Sequence, residues 1–233
     1  MKILCTHGLK SVMLALAAEL ERRSTKPLAM TWGSTLDLVR DIQGGARGDI
    51  AVLTAQAIDD LAAQGKAVAG SRIDLARSAI GLAVRRGAKK PDINSPEALR
   101  SALLAAKSVA RSKSGMSGVY FPTVLEQLGI TKEMEPKMVM PESGTPIGEL
   151  VARGDAEIGV QQISELLPVG GIEILGPLPA PLQKITIFSA GVLASADDRR
   201  AAAGLVDFIA TASRSLLPAN GLDAPERRVG QGA

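Results

Sequence analysis

Between the short apolar run Ser108-Val109-Ala110 and a stretch of helical period over 119–128 lies the segment Arg111-Ser112-Lys113-Ser114-Gly115-Met116-Ser117-Gly118. Hydroxyl residues and glycines at a helix start make an anion cradle. The backbone N–H groups of the first turn have no partners of their own and carry partial positive charge, and small residues let an oxyanion or carboxylate approach them closely. Arg111 and Lys113 add full positive charges beside it. At a single junction an ordinary helix cap by Ser114 or Ser117 accounts for the same residues, but the junction recurs. Thr6-His7-Gly8, Gly33-Ser34-Thr35, Ser114-Gly115-Met116-Ser117 and Ser143-Gly144-Thr145-Pro146 each place small or hydroxyl residues where a predicted strand passes into a predicted helix. In open α/β sheets the carboxyl ends of the strands form the ligand crevice. Junctions of this kind on two facing lobes would surround one anion and replace its hydration shell with hydroxyl and N–H groups.

The elements that must position these loops alternate along the chain. Strands are predicted over 2–6, 28–31 and 49–53, with helices over 9–23, 34–43 and 55–63. The apolar stretch 76–84 reads as a strand crossing between lobes. A new unit starts at Asn94-Ser95-Pro96-Glu97, where Ser95 is placed to cap a helix and Pro96 to occupy its first position. Strands over 137–140, 157–160 and 172–175 then alternate with helices over 146–152 and 163–167. The stretch 185–193 resembles a second crossing strand, 197–215 a long terminal helix, and 226–233 a loose tail. Strands alternating with helices imply a largely parallel sheet covered by helices, an α/β fold.

Composition narrows the partners. With 233 residues, 46% of them hydrophobic and 22% charged, the chain can bury a core as one large domain or as two lobes of about 100 residues each. Net charge is +3, no Lys/Arg run exceeds two residues, and the aromatic residues are Trp32, Tyr120, Phe121, Phe188 and Phe208. Neither a basic stripe nor a set of stacking platforms is visible, so no nucleic-acid partner is expected. The single cysteine, Cys5, falls in a predicted strand as a small buried hydrophobe, and the single histidine, His7, argues against His-based zinc chemistry. No Walker-type or dinucleotide glycine pattern occurs, so neither cofactor nor metal is expected. Leu9, Val12, Met13, Leu16 and Leu20 fall at helical spacing, which makes the amino-terminal apolar region an amphipathic helix rather than a secretory leader. No apolar run approaches the ~20 residues of a membrane span. The chain as given reads as cytoplasmic, and as periplasmic if a leader precedes it.

The order of units, together with Gly33-Ser34-Thr35, the segment from Gly44-Gly45-Ala46 through Asp49-Ile50-Ala51-Val52, and Gly154-Asp155-Ala156-Glu157-Ile158-Gly159-Val160, resembles the molybdate-binding-protein branch of the type II periplasmic solute-binding proteins. The resemblance covers nearly the whole chain. It implies a two-lobed type II fold with two crossing strands, lobe one over 1–80 plus 187–233 and lobe two over 81–186. The anion would lie between the lobes, and an ABC transporter permease would be the partner if the protein is exported. Ser34 matches the family's second-loop serine. The first-loop serine is absent from Thr6-His7-Gly8-Leu9, and a glutamine, Gln161 or Gln162, stands in place of the family's tyrosine. From Gln161-Gln162-Ile163-Ser164-Glu165 through Gly176-Pro177-Leu178-Pro179 the chain is similar to a branch that includes aconitate isomerases.

Two functions of different class follow. The first is a binding protein that holds an oxyanion or polycarboxylate with Ser34, Thr35, Ser114, Ser117 and Thr145. Arg111 or Lys113 would supply the counter-charge, and Thr6, His7, Gly8 and Gln161 would complete the wall. The second is an isomerase that moves a proton between allylic carbons of an unsaturated tricarboxylate, which needs carboxylate clamps and one base over the migrating proton. His7 is the expected base because its ordinary pKa lies nearest neutrality, with Tyr120 or Lys113 serving if shifted. Each has a plainer role: a hydrogen-bonded loop histidine, a packing tyrosine on its helix face, and for Arg111 a surface ion pair worth ~0–1 kcal/mol.

Overall fold

The computed structural model describes residues 1–24 and 26–226, so most of the tail expected over 226–233 lies outside the described residues. The chain opens with β1 (Lys2–Thr6), a 3-10 turn over His7–Leu9 and α1 (Lys10–Arg23). Next come β2 (Ala29–Gly33), α2 (Thr35–Gln43), β3 (Ile50–Thr54), α3 (Ala55–Ala63) and β4 (Ile73–Ser78). The second lobe carries β5 (Ile80–Arg85), α4 (Pro96–Ala105), β6 (Val109–Arg111), α5 (Met116–Gln127), α6 (Thr131–Met134) and β7 (Met138–Val139), then α7 (Ile147–Arg153), β8 (Ile158–Gln162), α8 (Ile163–Leu166) and β9 (Ile172–Pro177). A return to the first lobe adds β10 (Thr186–Val192), α9 (Arg199–Ala212) and β11 (Leu222–Asp223). The strands form two sheets, ordered β11-β4-β10-β3-β1-β2 and β7-β6-β8-β5-β9. In the first, β1 runs parallel to β2 and β3 while β10 is antiparallel to β3 and β4; in the second, β6 is parallel to β7 and β8, and β5 antiparallel to β8 and β9.

Alternation along the strands sorts the core into layers. Ile3 and Cys5 of β1, with Ile50 and Val52 of β3, pack under Val12, Met13, Leu16 and Leu20 of α1 and Leu205, Val206 and Ile209 of α9. Leu4, Ala51 and Leu53 point to the opposite face, where Leu38 and Ile42 of α2 and Ile58 and Leu61 of α3 cover them. With helices on both sides, β3 is buried at every position and reads as a continuous apolar run. The second sheet repeats the plan: Leu82, Val109, Ile158 and Val160 face Leu99, Leu103, Phe121 and Val124, while Ala83 and Ala110 face Ile147, Leu150 and Val151. Gly159 lies on that small-residue side, where an added Cβ would stand 2.7 Å from Val151 Cγ2, so α7 seats directly on the strand.

The expected strand over 76–84 is two strands. β4 ends at Ser78 in the first sheet and β5 begins at Ile80 in the second, so the crossing is the single residue between them. The expected second crossing over 185–193 is corrected: β10 pairs only within the first sheet, and the chain returns through 178–185 instead. Gln183 ties the two passages together, its Oε1 accepting from Ile80 N at 3.0 Å and its Nε2 donating to Ile80 O at 2.8 Å. The expected cap is in place, with Ser95 Oγ accepting from Ala98 N at 3.1 Å and Pro96 opening α4. Among the described residues no helix is long and apolar enough to cross a membrane.

Candidate functional site

The strand-to-helix loops of both sheets open on one cleft between the lobes, a cavity of about 650 Å³. Thr6, His7, Ser34 and Thr35 line it from the first lobe, and Lys113, Ser114, Thr145 and Gln161 from the second. Eight residues expected at the site from sequence are thereby brought together. No side chain caps α5, whose amino end at Gly115 and Met116 lines the cleft. Its first-turn N–H groups keep the polarity that attracts an anion.

Three expected residues lie elsewhere, each for a local reason. Gly8 sits against Phe188, whose ring atom Cζ would be 2.3 Å from an added Cβ. Ser117 is buried within the second lobe, 1% exposed, and does not line the cavity. Arg111 turns away from the cleft, and its Nη1 donates to Gly118 O at 2.9 Å. Pro122, inside α5, has no N–H to offer the carbonyl four residues before it. Arg111 supplies the missing donor, and desolvation there holds its guanidinium pKa below the ordinary value. The expected alternative base Tyr120 also lies off the lining, its ring 5.1 Å from Lys184 Nζ.

Two carboxylates that sequence reasoning missed organise the site. Asp37, in the first turn of α2, accepts at Oδ2 from Ser34 Oγ at 2.8 Å, Ser114 Oγ at 2.9 Å and Ser143 Oγ at 2.5 Å. Two of those serines come from the opposite lobe, so hydroxyls expected to hold a guest anion instead hold a carboxylate of the chain. Burial pushes the Asp37 pKa up, but the three hydroxyls and the nearby Arg40 outweigh it and leave the carboxyl below its ordinary value.

Glu165 is the second. It keeps a partial opening on the cleft, yet protein packs around its carboxyl, and this burial pushes the pKa up to about 7 against a hydrogen bond from Gln161. Gln161 itself is fixed, with Oε1 accepting from Ile147 N at 3.2 Å and Nε2 donating to Glu165 Oε2 at 2.8 Å. His7 is shifted the other way: burial first, then the charge of Lys10, lowers its pKa against the pull of Asp37. The imidazole is therefore neutral at pH 7. Gln162 Oε1 and Ser164 Oγ, also on the lining, are buried without hydrogen-bond partners. Two of the cations at the rim are engaged with acids, Lys113 with Glu142 at 3.3 Å and Arg153 with Glu149 at 3.8 Å, while Lys10 lies over the Trp32 ring at 5.8 Å.

A polar cleft between two α/β lobes, with helix starts around it and two crossings behind it, defines a two-lobed solute-binding protein of type II fold. The chain belongs to the bacterial extracellular solute-binding protein family, which it matches over residues 1–222. Over 166 residues it is 39% identical to an aconitate isomerase of Pseudomonas sp, a match covering 70% of this chain and 62% of that protein. It therefore spans less than two thirds of that relative. Over 205 residues it is 27% identical to the molybdate-binding protein ModA of Azotobacter vinelandii, covering 84% of this chain and 79% of that one. The structure of the Azotobacter vinelandii periplasmic molybdate-binding protein superposes with a TM-score of 0.80 at 18% identity, over 97% of this chain and 100% of that one, a likeness of fold alone.

Proposed function

We propose that the protein holds a small polycarboxylate between its lobes. The size and lining of the cleft carry this reading. About 650 Å³ falls within the roughly 300–1,000 Å³ of pockets that take organic ligands. A four-oxygen anion would leave most of it to water, whereas a tricarboxylate could set one carboxylate on the uncapped start of α5 and others on Thr6, Thr35 and Thr145. Lys10 at the rim, which pairs with no acid among the described residues, supplies attraction. The 39% identity to an aconitate isomerase supports a carboxylate guest over molybdate. If the protein is exported, an ABC transporter permease is the partner to which it would deliver the anion.

A second reading adds turnover, a proton shift between allylic carbons of an unsaturated tricarboxylate. The specific observation favouring it is Glu165, an acid facing the cleft whose proton affinity has been raised to near neutrality, where proton transfer in both directions is easiest. Thermal shifts with trans-aconitate, the saturated analogue tricarballylate, molybdate and sulfate test the binding reading. At 100 times the dissociation constant a bound ligand stabilises the fold by about 2.7 kcal/mol. Shifts with the tricarboxylates but not with molybdate support it; the reverse pattern assigns the cleft to an oxyanion. Proton NMR of trans-aconitate in deuterated water tests turnover.

A further inference from the structure

The wall that the second lobe turns to the cleft is built around one carboxyl. Gln161-Gln162-Ile163-Ser164-Glu165 runs off the carboxyl end of β8 into α8. Gln161, anchored on Ile147 N, holds Glu165 Oε2 at 2.8 Å. The other oxygen, Oε1, has no hydrogen-bond partner among the described residues, and Glu165 lines the cavity. Beside it, Gln162 and Ser164 are 1% and 5% exposed, line the same cavity, and each leaves a buried polar atom unpartnered. Buried polar atoms are nearly always paired, so these mark where the polar groups of a guest belong. The short helix α8 packs against the His7–Leu9 turn of the first lobe, which brings Glu165 and His7 to one end of the cleft.

We propose that Glu165 is the catalytic residue of an allylic proton shift on a tricarboxylate held in this cleft, an inference that rests on the turnover reading above. The Glu165 carboxylate takes a proton from the methylene carbon next to the double bond. As that C–H bond breaks, its electron pair forms the new double bond, and the pair of the old one passes to the far carbon and its carboxylate. The carboxyl then returns the proton to the far carbon and is again a carboxylate. The double bond has moved by one carbon and can be set with the opposite geometry, so cis and trans forms interconvert without oxidant or co-reactant. One fixed oxygen and one unpartnered oxygen suit a group that must reach a carbon, and partial exclusion from water strengthens it as a base. Glu165 matches the need to accept and return one proton better than His7, which burial and Lys10 keep neutral; His7 is left to donate a hydrogen bond to a substrate carboxylate.

The test uses the full chain as wild type, E165Q and E165D. Proton NMR in deuterated water follows trans-aconitate for deuterium uptake and cis product, and calorimetry measures tricarballylate, which binds but cannot isomerise. The expected result is wild-type turnover, a loss of at least about 100-fold in E165Q, and tricarballylate affinity within about threefold of wild type. In E165D, turnover is lowered and the inflection of its pH profile moves. Wild type that binds tricarballylate without turning over trans-aconitate sinks the turnover reading and this assignment with it. Wild-type turnover matched within tenfold by E165Q removes Glu165 and leaves the turnover reading standing. Should E165Q fail to fold, E165D decides: an unchanged rate with an unmoved inflection overturns the proposal.

Discussion

Ser114 Oγ donates to Asp37 Oδ2 at 2.9 Å from the other side of the cleft. Ser143 of the same lobe bonds to the same oxygen, so one carboxylate of the first lobe ties two loops of the second across the cleft. Asp37 itself is off the cavity lining, but its negative charge is bonded to three lining serines, Ser34, Ser114 and Ser143, and engages hydroxyls that the proposed anion would otherwise use.

Replacing Asp37 should therefore have two effects at once. D37A removes the like charge and frees the Ser34, Ser114 and Ser143 hydroxyls, so affinity for tricarballylate is expected to rise about tenfold, equivalent to about 1.4 kcal/mol. The ligand-free lobes lose a shared anchor and should open, which small-angle scattering reads as a larger radius of gyration. A weaker affinity in calorimetry would mean that Asp37 assists the ligand rather than competing with it.

Arg111 and Pro122 make a second pair, linked through the Gly118 carbonyl. R111M leaves that buried acceptor without a donor, at an expected cost of about 1–3 kcal/mol in denaturant unfolding. P122A restores a backbone N–H at the right position, so the double variant should recover most of the loss. Tricarballylate affinity should change little in either. A large drop in affinity with normal stability would instead return Arg111 to the cleft as a counter-charge.

These two pairs show what was legible in the sequence and what was not. The order of strands and helices was readable because short apolar runs such as Ile3-Leu4-Cys5 alternate with stretches of helical spacing such as Leu9, Val12, Met13 and Leu16. The loops that meet at the cleft were readable from their small and hydroxyl residues. The second crossing was misplaced because the 185–193 run is as apolar as a crossing strand, whereas the actual return depends on Gln183 bonding Ile80. Asp37 carries no local mark of a site residue, and along α2 it forms an ordinary ion pair with Arg40 at 2.9 Å. Its role arises only when serines from the other lobe reach it. Glu165 carried no signal beyond its place after the carboxyl end of a strand, since its proton affinity comes from burial. Arg111 did have a signal, the proline four residues beyond Gly118, which hydrogen-bond accounting along α5 would have found.

Close packing of α7 on β8 is testable at Gly159. An added methyl would meet Val151 Cγ2 at 2.7 Å and Ile147 Cγ2 at 3.1 Å, and β-branched side chains in a helix have little rotamer freedom to yield. G159A is expected to destabilise the protein by about 1–3 kcal/mol. Combined with V151A, it should cost less than the sum of the two single changes, because the cavity left by one substitution accommodates the other. Simple additivity in urea unfolding would show that the helix can move aside.

Glu165 should also leave a signature in stability that is independent of any catalysis. Its folded pKa is raised to about 7 from an ordinary 4.5, so between those values the folded protein holds a proton that the unfolded chain has released. Stability contributed at this position is therefore greatest at low pH and falls as pH rises through the window from 4.5 to about 7, with the whole penalty present above it. At about 1.4 kcal/mol per tenfold change in proton affinity, the penalty is at most about 3.5 kcal/mol, and less to the extent that the cleft admits water. E165Q carries no charge to desolvate and preserves an oxygen that can accept from Gln161. It should match wild type near pH 4.5 and exceed it at pH 8, so the two unfolding curves diverge as pH rises. Parallel curves across that range would mean that the carboxyl is solvated through the cleft, which would remove the burial on which its proton affinity depends.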